Sequence, residues 1–378
     1  MNARIALITS GDVTNIRAWS GTNYKIWKSL SSFADVFPLG PVDVKLARIL
    51  GIPRKISARA AGKKHLLSQS IMVSRYFARV FRDKLEKNTY DLIFAPAASS
   101  EIAFLETRIP ILYLSDTTFG LMIDYYEGFS NLTVKSIREA NLLEARALEK
   151  AEKVILPTKW AANSAERDYN ISRDKIAVIP FGANIDEAPD RNIAISRQIT
   201  SPLRLLFLGV SWSRKGGVTA YRTAMELNRR GIDTVLTVCG CTPPSEYING
   251  KVRCIPFLDK SKDKDVKVFN NLLLDSHFLI LPTRAECSAI VFSEAAAFGL
   301  PVIATRTGGV PDVVEHSKTG VLIDLSDDVD GFADAISSTV LDERLYKNMV
   351  VAARDKYERE LNWNRWTERV KQLVEEIL

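Results

Sequence analysis

Short apolar, β-rich runs alternate with helix-length segments along the whole chain. In the first half the runs are ARIALIT, DLIFAPA, ILYLS, KVILPT and KIAVIPF; in the second they are LRLLFLG, TVLTVCG, VRCIPF, HFLILPT, PVIAT and GVLIDL. Continuous apolar strands separated by helices belong to parallel sheets, because each crossover lays a helix on a face of the sheet and buries it. The pattern predicts an α/β protein of two doubly wound domains. The polar, irregular segment from Asn184 to Pro202 is followed at once by a fresh strand and marks the break. A first domain is expected over 1–190 and a second over 200–358. Open parallel sheets bind ligands beyond the carboxyl ends of their strands, where the short polar loops fall, so the site is expected in the cleft between the domains.

One of those loops carries two carboxylates. In AECSAIVFSEAAAFGLPVIATRTGGVPDVVE, Glu286 follows the strand-like run ending at Thr283, and Glu294 rides on an Ala-rich helical stretch that stops at Gly299 and Pro301. The residues between them sit where a helix begins, with free backbone N–H groups suited to a diphosphate. A nucleotide sugar has hydroxyls at both ends and a diphosphate between them. Two carboxylates flanking an anion cradle match it, each charged hydrogen bond contributing about 1.5–3 kcal/mol.

This segment resembles the donor-binding signature of the retaining glycosyltransferases of family 4. That resemblance implies the GT-B fold of two facing Rossmann-like domains, with a crossover helix over 359–378 that packs back on the first domain. It implies that Glu286 contacts the donor sugar, Glu294 the ribose, and the backbone of Ser288, Ala289, Ile290 and Val291 the diphosphate. It also implies that no metal and no other cofactor is needed.

Further residues extend the expected site. LLFLGVSWSRKGGVTAYRTAMEL reads as a strand, a basic turn and a helix, and Lys215 is expected to grip the diphosphate. A cation at a helix N-terminus is unfavourable unless an anion visits. Many family members carry an Arg directly after the strand-ending glycine, whereas Val210 follows Gly209 here; Arg214 is the substitute. Gly21, in the loop TrpSerGlyThr before NYKIWKSL, allows close backbone approach to a ligand, and the resemblance places this loop over the donor phosphates and the acceptor. Family 4 enzymes often carry a His at the end of the ILYLS strand. Ser115 and Asp116 stand there instead, and Asp116 either orients the donor, takes the acceptor proton or caps the next helix. Phe257 and Leu258, in IPFLDKS, match the family position that holds the base, with strand-end packing as the alternative. Gly308 and Gly309 read as a turn and helix start, with Pro311 at the first helical position.

Composition narrows the setting. The 378 residues are 46% hydrophobic and 25% charged, ordinary for a globular protein large enough for two cores. No run reaches the roughly 18 apolar residues of a membrane span, and the start, MNARIALITSGD, reads as a polar pair and a strand rather than a signal peptide. Four unpaired-looking cysteines and three histidines argue against disulfides and a His-rich metal site, and a cytoplasmic protein is expected. The net charge of +6 is unevenly spread: from Lys45 to Lys87 twelve Lys or Arg face only Asp83 and Glu86. That stretch, residues 45–87, suits an anionic membrane surface or is a solvated basic face. Its aromatics, Tyr76, Phe77 and Phe81, have helix-core spacing, so nucleic acid is not the expected partner.

The expected activity is transfer of a sugar from a nucleotide-diphosphate donor to a glycan or glycolipid hydroxyl. A sugar phosphorylase, a nucleotide-sugar epimerase and a non-catalytic nucleotide-sugar binder are the alternatives.

Overall fold

The computed structural model describes residues 3–43 and 52–378, with the side chain of Arg54 left out. Lys45 and Arg48 of the basic stretch lie outside the described residues. The chain forms two compact units, one of residues up to Pro180 together with Trp366–Leu378, the other Phe181–Arg365.

The first unit holds a six-stranded sheet: β1 (Arg4–Leu7), β2 (Asp35–Pro38), β3 (Leu92–Pro96), β4 (Ile111–Leu114), β5 (Lys153–Leu156) and β6 (Ile176–Val178), in the order β2-β1-β3-β4-β5-β6. All neighbours pair in parallel. β3 and β4 are buried along their whole length, as strands covered on both faces must be. β2 has no apolar run to announce it: it is an edge strand, part-exposed, paired only with β1. The helix Ile71–Leu85 turns Phe77, Phe81 and Leu85 to the core and leaves Arg75, Arg79 and Arg82 exposed.

The second unit holds β7 (Leu203–Leu208), β8 (Thr234–Cys239), β9 (Val252–Ile255), β10 (Phe278–Leu281), β11 (Val302–Thr305) and β12 (Gly320–Ile323), ordered β12-β11-β10-β7-β8-β9 and again all parallel. The polar segment after Pro180 belongs to this unit, for physical reasons. Phe181 stacks on Trp363, Trp363 Nε1 donates to Asn184 Oδ1 at 3.0 Å, and the Arg197 guanidinium donates to the carbonyls of Leu273, Leu274 and Phe298 at 2.8–2.9 Å.

The last helix, Trp363–Ile377, starts in the second unit and ends in the first. Trp366, Val370 and Val374 are its buried positions, and Trp366 meets the ring of Phe94 on β3 at a centroid distance of 6.3 Å. Leu378, which continues that spacing in the sequence, lies past the end of the helix and is exposed.

Candidate active site

The winding of the second sheet reverses between β7 and β10. Crossovers leave these neighbours in opposite directions, so the loops at their carboxyl ends part and open a crevice. The loop after β7 is Gly209–Gly216, and the loop after β10 is Pro282–Ala289.

Glycine shapes the first loop. A Cβ on Gly216 would stand 1.9 Å from the Pro282 carbonyl oxygen, and its φ of +77° is one that residues with a Cβ rarely adopt. A Cβ on Gly209 would meet the Lys215 stem at 2.9 Å, and one on Gly217 would meet the Trp212 ring at 2.2 Å. These close approaches lay the lysine stem along Gly209 and press the turn against the end of β10.

Lys215 is only 8% exposed, and its Nζ donates to Glu286, itself 8% exposed. Arg214 Nη1 donates to the Ala285 carbonyl at 3.1 Å and stands 3.5 Å from Glu286 Oε2. The main chain fixes the loop: Arg284 N–H donates to the Arg214 carbonyl at 3.0 Å, and Gly309 N–H to the Glu286 carbonyl at 3.1 Å. Gly308 and Gly309 make the expected turn, but Val310 takes the first helical position and Pro311 the second. Burial holds the Lys215 ammonium below the usual lysine range, and the Glu286 carboxylate offsets only part of that.

The helix Ile290–Ala297 begins beside this pair with Ala289 as N-cap, a residue that has no side-chain acceptor. The amides of Ala289, Ile290 and Val291 have no acceptor among the described residues, and Phe292 N–H bonds only back to the Ala289 carbonyl. Unsatisfied first-turn amides carry the positive end of the helix dipole. Ser288 is half-buried at the mouth of the turn.

One helical turn on, Glu294 is 4% exposed and accepts from Lys260 Nζ. Lys260 also donates to the Asn184 carbonyl at 3.2 Å and stands 4.1 Å from the Phe269 ring centroid. Neither glutamate is a solvated helix charge, since each is buried against a lysine brought from another loop. Sequence reasoning missed Lys260; its only signal is its place in IPFLDKS, directly after the strand that ends at Ile255. In the same segment Phe257 is 56% exposed, so packing at a strand end does not account for it, whereas Leu258 lies half-buried against the second core.

Gly21 and Asp116 belong to the first unit. Trp19, Ser20 and Gly21 take φ of 48°, 56° and 87° in succession, a left-handed run that costs about 1–2 kcal/mol at each non-glycine. Trp19 Nε1 donates to Asp116 Oδ2 at 3.4 Å. Asp116 does not cap the next helix, Phe119–Met122, whose N-cap is Thr118. Among the described residues no group of three or more His, Cys, Asp or Glu is placed to hold a metal, and no helix is long and apolar enough to cross a membrane.

Residues 190–356 match the family described as glycosyl transferases group 1, and residues 50–187 match glycosyltransferase family 4. The D-inositol 3-phosphate glycosyltransferase of Corynebacterium diphtheriae is 29% identical over 232 residues, which is 56% of this chain and 53% of that protein. The chain spans about half to three-fifths of the length of the D-inositol 3-phosphate glycosyltransferases of this kind that it matches. Among solved structures, the sucrose-phosphate synthase of Thermosynechococcus elongatus superposes with a TM-score of 0.70 at 18% identity, over 99% of each chain. Anabaena HepE, solved in complex with UDP, superposes at 0.63 with 13% identity over 100% of both chains. At such identities the likeness speaks for the fold, two Rossmann-like domains of the GT-B class. Two family matches that between them reach into both units, on a fold of that class, make this chain a member of glycosyltransferase family 4.

Proposed function

We propose that the chain moves a sugar from a nucleotide-diphosphate sugar to an acceptor hydroxyl, with retention of anomeric configuration and without a metal, in the synthesis of a glycan or glycolipid. One observation carries this reading: a buried Lys215–Glu286 pair set beside helix amides that have no acceptor among the described residues, at the reversal point of the second sheet. When the bond from the anomeric carbon to the diphosphate breaks, the electron pair moves to the departing oxygen. Lys215, Arg214 and the amides of Ala289, Ile290 and Val291 meet that charge with fixed positive potential. A cation about 4 Å away contributes on the order of 4 kcal/mol at an effective dielectric near 20, before desolvation. Glu286 holds the sugar hydroxyls, Glu294 the ribose, and Phe257 with Leu258 the base. Gly21 lets its loop approach the phosphates, and Asp116 orients the donor or takes the acceptor proton.

The setting in this reading is the cytoplasmic face of a membrane. The helix Ile52–Ala60 exposes Ile52 and Ile56, four residues apart and 48% and 64% exposed, beside Lys55 and Arg59 at the same spacing. An apolar stripe rimmed by cations suits an anionic lipid surface.

The test is release of nucleoside diphosphate from a panel of UDP-, GDP- and ADP-sugars. Release that depends on a donor and is lost in Lys215→Ala supports the reading. A chain that neither binds nor turns over any of them is not a transferase of this kind.

A further inference from the structure

The two carboxylate oxygens of Glu294 are in different situations. Oε1 accepts from Lys260 Nζ, whereas Oε2 accepts no hydrogen bond among the described residues, although the side chain is only 6% exposed. Lys260 itself is held from three sides. Its ammonium donates to Glu294 and to the Asn184 carbonyl, and it lies over the ring of Phe269, a buried residue of the helix Asp263–Asp275. These supports are fixed in turn. Asn184 is buried, and its side chain is tied down by the Trp363 indole. Asp259, the residue before Lys260, is buried too: its N–H donates to Asp265 Oδ2 at 2.9 Å, and its Oδ1 accepts from the Ser261 N–H at 3.1 Å and the Ser261 hydroxyl at 2.7 Å. Such a frame removes the freedom that a lysine on its four-carbon stem ordinarily has. Neutralising Glu294 calls only for proximity; this arrangement also fixes direction.

We propose that Lys260 is a positioning residue for nucleoside recognition: it takes Oε1 of Glu294, presents Oε2 to a ribose hydroxyl, and thereby sets the preference of the site for ribonucleotides over deoxyribonucleotides. The inference rests on the transferase reading and deepens it, naming the group that holds the ribose-binding carboxylate in place. A hydroxyl that donates to Oε2 pairs the oxygen that the protein leaves open. A nucleotide without that hydroxyl leaves Oε2 desolvated and unpaired, and the site rejects it for that reason. Oε2 discriminates in this way only while the carboxylate is held. With the ammonium gone the carboxylate turns about its last torsion, which is broad in a glutamate, and the pre-organisation is lost. Phe257 and Leu258, proposed above to hold the base, precede Lys260 in the loop after β9, so one short segment serves both parts of the nucleoside.

The experiment uses the whole chain, wild type and three variants: Lys260→Met, which keeps the stem against Phe269 and removes the ammonium, Glu294→Ala, and the two combined. Calorimetry measures the affinity of UDP, GDP and ADP and of their 2′-deoxy and 3′-deoxy forms. Lys260→Met is expected to weaken the best-bound ribonucleotide by about fivefold or more, and the deoxy form that lacks the matching hydroxyl by less than about twofold, so that the ribose preference falls. In the Glu294→Ala background the same substitution is expected to change ribonucleotide affinity by less than about twofold, since Lys260 acts through that carboxylate. The combined variant leaves no carboxylate at position 294 without its partner, so it reads the coupling even if Lys260→Met alone fails to fold. Equal weakening of ribo and deoxy forms by Lys260→Met assigns the lysine to structure alone and overturns the proposal, as does a large effect of Lys260→Met in the Glu294→Ala background. A wild type that binds none of the three nucleotides sinks the transferase reading and this inference with it. A wild type that binds one of them, with a preference untouched by Lys260→Met, sinks only this inference.

Discussion

Lys215 Nζ and the Glu286 carboxylate, seventy-one residues apart in the chain, are buried against each other where the second sheet reverses its winding. A cation this dry is incompletely compensated by one carboxylate, and its lowered proton affinity records that. In the proposed function, a diphosphate binding here would supply the missing charge and free Glu286 for sugar hydroxyls.

Lys215→Ala leaves the Glu286 carboxylate buried without its closest partner, so it is expected to lower stability by about 3 kcal/mol and to abolish donor turnover. The double substitution Lys215→Met with Glu286→Leu removes both charges and is expected to recover most of the stability but none of the turnover. Urea unfolding beside a diphosphate-release assay checks both; recovery of turnover in the double variant refutes the assignment.

Glu294→Gln keeps the shape of the side chain and removes the charge. Nucleotide affinity is expected to fall by about 1.5–3 kcal/mol, and discrimination between ribo- and deoxyribonucleotides to fall with it. Calorimetry with UDP and 2′-deoxy-UDP decides; unchanged discrimination takes Glu294 off the ribose.

Gly216→Ala places a methyl group 1.9 Å from the Pro282 oxygen in a left-handed conformation. A loss of about 3 kcal/mol is expected, combining overpacking with backbone strain. Gly231→Ala is the control: φ is +84° with nothing within 4 Å, so only the conformational cost of about 1 kcal/mol remains. Equal losses at both positions show that the approach to Pro282 is not what the glycine serves.

Glu144 is 4% exposed on the helix Val134–Lys150, and burial raises its carboxyl to about 7 against hydrogen bonds from Ser99 and Tyr113. Its folded-state value lies above the unfolded one, so its contribution is full below about pH 4.5 and is lost as pH rises toward 7. Wild type is therefore expected to lose up to ~3 kcal/mol across that window relative to Glu144→Gln. Parallel pH profiles of the two proteins in urea refute this if their difference is flat.

Ile56→Glu is expected to reduce sedimentation with phosphatidylserine vesicles severalfold, and 0.5 M salt to reduce it for wild type. Binding indifferent to both removes the helix Ile52–Ala60 from any lipid surface.

Much of this was legible in the sequence because parallel strands buried on both faces must be apolar throughout. Each of the eleven runs named from the sequence contains a strand, and β2 escaped because an exposed edge strand needs no such run. Lys215 and Glu286 were each readable as candidates from the chemistry of their own loops, though not their pairing across seventy-one residues. Lys260 was not, because its partner Glu294 lies thirty-four residues away and nothing local says which lysine folds back.

The final helix has a consequence for how the molecule is made. Trp366, Val370 and Val374, on a helix, complete the interior of a unit whose strands were all synthesised before Phe181. That unit stays unfinished on the ribosome while the whole second Rossmann fold is translated. The later-born half is the one free to reach its native state as an uninterrupted segment, and the earlier-born half waits for its closing helix to emerge.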